Sequence, residues 1–168
     1  MANHVYQGDL PDNLDLGSIV AIDCETMGLK PYRDRLCVVQ LSGGDGNAHL
    51  VQIAKGQKSA PNLCKLLENP EVLKLFHFGR FDIAAMYHAF GALTAPVYCT
   101  KIASKLVRTY TDRHGLKNLL QELLPSGPAY KHELTSQQSD IQRSVQFAYA
   151  AARRAWTRVR GSSRVRSI

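Results

Sequence analysis

The chain has 168 residues, 45% of them hydrophobic, which is enough to bury one sizeable core and predicts one main domain. No stretch approaches the about 20 apolar residues of a membrane span, and the N-terminus lacks a signal-like apolar segment. We therefore expect a soluble, cytoplasmic protein with no membrane partner. The net charge of +7 comes from residues 141–168, which hold seven arginines and no acidic residue. Such a tail favours nucleic-acid binding or simple solvation.

Apolar and β-branched runs predict the secondary structure in chain order. Strands are predicted at 18–24, 36–42, 48–53 and 72–78, and helices at 60–69, 80–90, 100–107 and 116–124. Residues 43–46 predict a hairpin turn. The helix at 80–90 should end at Gly91 and carry Ile83, Met86, Tyr87 and Phe90 on one apolar face. Three early strands followed by alternating helices and strands indicate an α/β domain, in which helices cover a mixed sheet. The four cysteines form no CxxC pair, and we expect reduced thiols.

Two carboxylates end the first predicted strand, in the stretch AIDCETMGL at 21–29. Residues i and i+2 of a strand point to the same face, so Asp23 and Glu25 should lie side by side and repel each other. One interpretation is a solvated, acidic strand end. The other is that a hard divalent cation offsets the repulsion, since Mg²⁺ and Mn²⁺ prefer carboxylate oxygens.

A second polar cluster stands in FHFGRFDIAAM at 76–86, where a strand is predicted to end at Phe78. Asp82 falls in the first turn of the next helix, where it can simply complement the helix dipole. Against this simple explanation, His77, Arg80 and Asp82 are polar groups in an otherwise apolar strand–turn–helix. Such junctions are where α/β proteins bind ligands.

These two stretches together resemble the first two motifs of the DEDD 3′–5′ exonuclease superfamily, in its ribonuclease D branch. The segments DRLCVVQLSGGDGNAHLVQIAKGQKSAPNL and CTKIASKLVRTYTDRHGLK are similar to the short bacterial subgroup called nano-RNase C. The resemblance implies an RNase H-like mixed sheet flanked by helices. It also implies stepwise hydrolysis of short single-stranded RNA, with DNA as a further candidate, to nucleoside 5′-monophosphates. Relatives in this subgroup form closed rings, which implies a homo-oligomer.

The resemblance also implies a set of site residues. Asp23, Glu25 and Asp82 would hold two divalent ions, Mg²⁺ or Mn²⁺, which stabilise the charge that develops on the entering and leaving oxygens of a phosphodiester. The implied substrate contacts are Thr26, Gly28, Leu29, His77, Phe78, Arg108, Arg113, His114 and Lys117. Structural alternatives stay open for Leu29 and His77, which can be ordinary core residues, and for the basic cluster, which can be a solvated helix face.

The third family motif is altered. The ribonuclease D branch has a Tyr that positions the attacking water and, four residues later, an Asp that completes the metal site. Here Tyr149 is followed at that spacing by Arg153, a cation that would repel metal ions. The resemblance therefore implies an exonuclease domain at 1–150 that binds metal poorly and catalyses weakly or not at all.

The tail at 151–168 is arginine-rich, lacks acids and resembles the product of a shifted reading frame in a GC-rich gene. Three functions stay open at this point. The chain can be a metal-dependent exoribonuclease, a non-catalytic nucleic-acid-binding module on the same fold, or a structural protein that has kept the scaffold.

Overall fold

The computed structural model describes residues 2–123, and residues 1 and 124–168 lie outside the described part. The strands are β1 (Asn3–Gln7), β2 (Ile19–Thr26), β3 (Leu36–Ser42), β4 (Ala48–Gln52), β5 (Leu73–Phe76) and β6 (Val97–Cys99). The helices are α1 (Pro61–Glu68), α2 (Arg80–Phe90), α3 (Thr100–Val107) and α4 (Leu116–Leu123). None of these helices is long and apolar enough to cross a membrane.

The six strands of residues 2–123 form one mixed sheet in the order β1-β4-β3-β2-β5-β6. The β2–β3 and β3–β4 pairs are antiparallel, and the β1–β4, β2–β5 and β5–β6 pairs are parallel. The central strand β2 thus has an antiparallel neighbour on one side and a parallel neighbour on the other. This arrangement confirms the predicted α/β class with a mixed sheet.

Most predicted elements agree with the structure, and the differences lie at edges. The edge strands β1 and β6 were not predicted, because β1 is mostly exposed and β6 has only three residues. Strand β5 ends at Phe76 rather than at Phe78, because residue 78 leaves the extended conformation with φ +67°. Helix α2 ends at Gly91 as predicted, with φ +75°. The prediction of its apolar face was wrong at Tyr87, which is 54% exposed. The buried residues of this helix are Asp82, Ala85 and Met86.

The two faces of the sheet are covered unequally. Alternate β2 residues Val20, Ile22 and Cys24 belong to the main core, which α1 and α2 complete through residues such as Leu63 and Met86. The opposite face holds a small cluster centred on Ala21 and Leu75. Asp23 and Glu25 share the side of β2 that carries Ala21, because side chains alternate along a strand.

Helix α1 begins with help from a distant segment. Its N-cap residue Ala60 provides no side-chain cap, but the Asp9 carboxylate accepts hydrogen bonds from the N–H groups of Asn62 and Leu63, each at 2.9 Å. Free N–H groups at a helix start are otherwise unsatisfied. Asp9 therefore fixes the chain leading into β2 against the first turn of α1.

Replacing Asp9 by alanine is expected to lower the free energy of unfolding by roughly 1–2 kcal/mol, the usual cost of a lost helix cap. Asp9→Asn keeps one acceptor and should lose less. Asp12→Ala is the matched control, since Asp12 is exposed and accepts a 2.9 Å hydrogen bond from the Asn62 side chain rather than from the N–H groups of the helix. Urea unfolding measures all three variants, and equal losses in Asp9→Ala and Asp12→Ala would contradict the role of Asp9 as a cap.

Candidate active site

The two acids of AIDCETMGL lie near the carboxyl end of β2. Asp23 and Glu25 are half-buried, whereas Cys24 between them is buried in the core, as the alternation of a strand requires. The register of β2 against β3 shifts between Glu25 and Thr26, which marks a bulge. Bulges bend a strand and re-aim side chains, and they are common beside active sites. Sequence reasoning did not detect this bulge.

Asp82 reaches this pair from the first turn of α2. Its Oδ1 accepts a hydrogen bond from the backbone N–H of Cys24 at 3.0 Å, and the side chain is buried. Strand β5 pairs with β2 only as far as Ala21, so Cys24 lies beyond the end of that ladder. Asp82 takes the place of the missing strand, and its carboxylate is thereby held against the backbone between Asp23 and Glu25. The simple helix-dipole interpretation does not account for this tertiary contact.

The electrostatics of the site show that these carboxylates interact. Burial, followed by the negative charges of Asp82 and Glu25, raises the pKa of Asp23 to about 7. Burial also raises the pKa of Asp82 to about 6, although the hydrogen bond from Cys24 opposes the rise. Like charges in a partly desolvated site disfavour ionisation, and a nearby cation would reverse this. The cluster therefore favours a positively charged ligand.

The donor set suits a hard divalent ion, because Mg²⁺ and Mn²⁺ select carboxylate oxygens. Within residues 2–123, however, no three His, Cys, Asp or Glu side chains already form a group that could hold a metal ion. Asp23, Glu25 and Asp82 are close enough for their charges to interact, but they do not form a preorganised set of metal ligands. The carboxylate chemistry of the three residues fits a divalent metal ion.

The loop after β2 carries the next group of predicted residues. Thr26 Oγ1 donates to the carbonyl of Gly28 at 2.5 Å, and the Asp34 carboxylate accepts from the N–H of Lys30 at 3.0 Å. A Cβ at Gly28 would lie 2.3 Å from Asp34 Oδ2, so a side chain there would displace the Asp34 carboxylate from its present contacts. Leu29 is 83% exposed, which excludes the core-packing alternative. The loop is thus closed by its own polar contacts and presents an apolar side chain to solvent.

His77 and Phe78 follow β5 and differ in exposure. His77 Nδ1 makes a 2.8 Å hydrogen bond with Thr100 Oγ1, and burial together with the charge of Lys101 lowers the pKa of His77 to about 4. This ring is neutral near pH 7 and joins the end of β5 to the start of α3. The structure thus gives His77 the satisfied, partly buried environment of the structural alternative. The Phe78 ring is half exposed.

The basic cluster divides into two groups. The buried Arg108 guanidinium pairs with Glu122 and donates to Ser104 Oγ at 2.9 Å and to the Arg113 carbonyl at 2.8 Å. Because protein groups occupy its donors, Arg108 does not enter our set of phosphate contacts, and this corrects the sequence-based expectation. His114 Nδ1 is bonded to Ser104 Oγ at 2.9 Å. The side chains of Arg113 and Lys117 are exposed.

The third motif cannot be placed. Tyr149, Arg153 and the arginine-rich tail at 151–168 lie outside the described residues. The site as described therefore consists of the β2 acids, Asp82, the loop at 26–35, and the segment at 77–82.

The mixed sheet flanked by helices is the RNase H-like fold of the DEDD exonucleases. Two acids of the central strand β2 and one acid of the helix after β5 come together on this fold. A 3′–5′ exonuclease domain family matches residues 9–152. The chain belongs to this 3′–5′ exonuclease family, in the branch that contains ribonuclease D and NrnC.

Individual relatives agree with this placement. The structure is similar to that of Brucella melitensis NrnC with bound Mg²⁺, with 48% identity, a TM-score of 0.83, and coverage of 98% of this chain and 85% of that one. The same nuclease bound to pGG is 49% identical, with a TM-score of 0.80 and coverage of 91% and 79%. Ribonuclease D of Acidiphilium cryptum is 36% identical over 149 residues, 89% of this chain. The chain spans 38% of the length of that relative.

Proposed function

We propose that this chain is a metal-dependent 3′–5′ exoribonuclease that shortens RNA oligonucleotides and releases nucleoside 5′-monophosphates. The observation that carries the proposal is the hydrogen bond from the Cys24 N–H to Asp82, which holds a third carboxylate against the two acids of β2. Family membership supports the reaction class. The NrnC relatives solved with Mg²⁺ and with pGG support a divalent ion and a short substrate.

In this proposal Asp23, Glu25 and Asp82 would hold two divalent ions, Mg²⁺ or Mn²⁺. The ions, when bound, would stabilise the charge that develops on the entering and leaving oxygens of the scissile phosphate. The hydrogen bond from the Cys24 N–H keeps Asp82 in place beside the half-buried Asp23 and Glu25. Neutral His77 supports the β5–α3 junction and carries no positive charge that would compete with the ions.

Substrate contacts are assigned by exposure and charge. Leu29, which is exposed on the loop after β2, would pack against a nucleobase, and the exposed Arg113 and Lys117 would contact phosphates. Thr26 and Gly28 shape the loop that presents Leu29. Short single-stranded RNA is the proposed substrate, and a homo-oligomer is the proposed assembly by family resemblance.

The test is hydrolysis of a 5′-labelled diribonucleotide and a 5′-labelled 20-mer RNA in Mg²⁺, in Mn²⁺ and in a chelator. We expect metal-dependent shortening from the 3′ end and faster turnover of the diribonucleotide. A 20-mer blocked by a 3′-phosphate distinguishes exonucleolytic from internal cleavage. Cleavage in the chelator, or products of internal cleavage, would contradict the proposal.

A second candidate is a nucleic-acid-binding module without catalysis, favoured by Arg153 in place of the fourth acid. A cation at that position would repel the ions that the three remaining acids attract. This candidate predicts that the same RNAs bind, with affinity that falls as salt rises, but are not cleaved. An exoribonuclease of reduced activity is intermediate between the active enzyme and the binding module. In that case we expect slow, metal-dependent release of monophosphates.

A further inference from the structure

Gln40 is a buried polar residue in the middle of β3. The residue is 3% exposed, and its Oε1 atom has no hydrogen-bond partner within residues 2–123. Most buried polar oxygens in proteins are paired, because an unpaired one has lost its bonds to water without replacement. An apolar side chain of similar size would avoid this cost. Core packing alone therefore does not explain a glutamine at this position.

The neighbours of Gln40 along and across the sheet offer this oxygen no donor. On the same face lie Val38 and Ser42 of β3 and, across the β3–β4 pair, Leu50. Val38 and Leu50 are apolar, and the Ser42 hydroxyl already donates its one proton to the Asn47 carbonyl at 2.8 Å. Strand β3 is paired on both of its edges, so the backbone N–H groups beside it are engaged in the sheet. A donor for Oε1 has to come from a bound group.

The neighbour of Gln40 on the remaining side is Asp23. The two residues are direct partners in the antiparallel β2–β3 pair, so their side chains leave the same face of the sheet. The Cβ atoms of such partners are about 4.5–5.5 Å apart. An ionised carboxylate accepts hydrogen bonds and cannot supply the missing donor. The unpaired oxygen thus stands next to the residue that, with Glu25 and Asp82, forms the acidic cluster.

We propose that Gln40 is a positioning residue for the divalent ion at Asp23, and that its Oε1 accepts a hydrogen bond from a water molecule bound to that ion. This inference rests on the proposed function, because it requires Asp23 to hold an ion. Mg²⁺ usually keeps several of its waters, and the charge of the ion makes them strong donors. Residues that bind the ligands of a metal fix those ligands in place, and their loss weakens metal affinity or activity about 10- to 100-fold.

Thermal unfolding of the full chain with increasing Mn²⁺ tests the inference. Gln40→Met keeps the length of the side chain and removes the amide. We expect its metal-free Tm to stay level or to rise, because an unpaired buried oxygen is lost. The Mn²⁺ concentration that half-saturates the rise in Tm should increase about tenfold or more.

Thr94→Val is the matched control for this substitution. Thr94 Oγ1 is the other buried side-chain oxygen without a partner in the described part of the chain. Thr94 precedes β6 and Asp82 follows β5, and these two strands are parallel, so Thr94 lies at the end of the sheet away from Asp82. Its replacement should leave the Mn²⁺ response unchanged.

Gln40→Glu separates the role of the oxygen from the role of packing. It keeps an acceptor at the same position and adds a negative charge opposite Asp23. We expect a lower metal-free Tm, because like charges then face each other, and half-saturation at a Mn²⁺ concentration no higher than that of the wild type. Hydrolysis of the diribonucleotide is the second measurement. The deficit of Gln40→Met should shrink as Mn²⁺ is raised, because a weakened site fills at higher metal concentration.

The outcomes separate this inference from the proposed function. Equal half-saturation in the wild type and Gln40→Met would overturn the inference and leave the metal site of the proposed function intact. A weakened Mn²⁺ response in Gln40→Glu as large as that in Gln40→Met would assign the effect to packing and also overturn it. So would a fall of several degrees in the metal-free Tm of Gln40→Met. If the wild type neither responds to Mn²⁺ nor cleaves RNA, the proposed function fails as well.

Discussion

Replacing Asp23 by asparagine is expected to reduce metal-dependent RNA hydrolysis roughly 100- to 1000-fold and to stabilise the metal-free protein. The loss of activity follows if Asp23 holds the ions that stabilise the developing charge. The gain in stability follows from the pKa of Asp23, which burial and the charges of Asp82 and Glu25 raise to about 7. An amide of nearly the same shape removes the repulsion.

The pH dependence has a defined sign. Between the ordinary pKa of 3.8 and the folded value of about 7, the folded state binds a proton at Asp23 more tightly than the unfolded chain does. The free energy of unfolding of the metal-free wild type should therefore fall as pH rises through this interval. Asp23→Asn loses the part of this fall that Asp23 contributes and keeps the smaller part that comes from Asp82, whose pKa burial raises to about 6. With discounting for solvent at a half-buried group, the variant should be about 1–3 kcal/mol more stable than the wild type at pH 8.

Thermal unfolding with increasing Mn²⁺ completes this test. Ligation of the folded state should raise the wild-type Tm with metal concentration, and Asp23→Asn should respond weakly or not at all. Glu71→Gln is the control, because it removes one exposed carboxylate that precedes β5, whereas Asp82 lies beyond the other end of that strand. If Asp23→Asn keeps both the Mn²⁺ response and hydrolysis, the acidic cluster is not the metal site.

The sequence predicts the central elements well because their signals are local. Strand β3 and the helices at 80–90 and 100–107 have the predicted bounds, since apolar periodicity and Gly91 mark them directly. The pairing of Asp23 with Glu25 on one face follows from the period of a strand. Strands β1 and β6 escape prediction because an exposed edge and a three-residue strand carry no such pattern.

The contacts that build the site are not local and could not be read from the sequence. The Cys24–Asp82 hydrogen bond joins residues 58 positions apart, and Arg108 finds Glu122 across a loop. The positive φ of Phe78 carries no sequence signal, because a bulky residue stands where glycine is the usual choice. Lys74, a polar residue in a predicted strand, is fully buried because the carbonyls of Asn69 and Ala95 accept its hydrogen bonds. Each of these features requires the fold before it can be recognised.

The altered third motif, with Arg153 in place of an acid, is the basis of a second prediction about metal-dependent hydrolysis. The family motif places an acid four residues after the tyrosine, at the spacing that brings two side chains to one helix face. Here Arg153 follows Tyr149 at that spacing, outside the described residues. In the sequence, Arg153 stands at the motif position of the fourth acid, and a positive charge at that position would weaken ion binding by Asp23, Glu25 and Asp82.

Replacing Arg153 by aspartate is then expected to raise metal-dependent hydrolysis at least tenfold, because it removes a repulsive charge and adds a carboxylate ligand. The Mn²⁺ concentration that half-saturates the rise in Tm should fall in parallel. Arg154→Asp is the matched control, since it makes the same change in net charge one position along the chain. Equal gains in both variants would assign the effect to net charge, and no gain in either would separate residue 153 from the metal site. A gain confined to Arg153→Asp would identify the chain as an exonuclease limited by one misplaced cation.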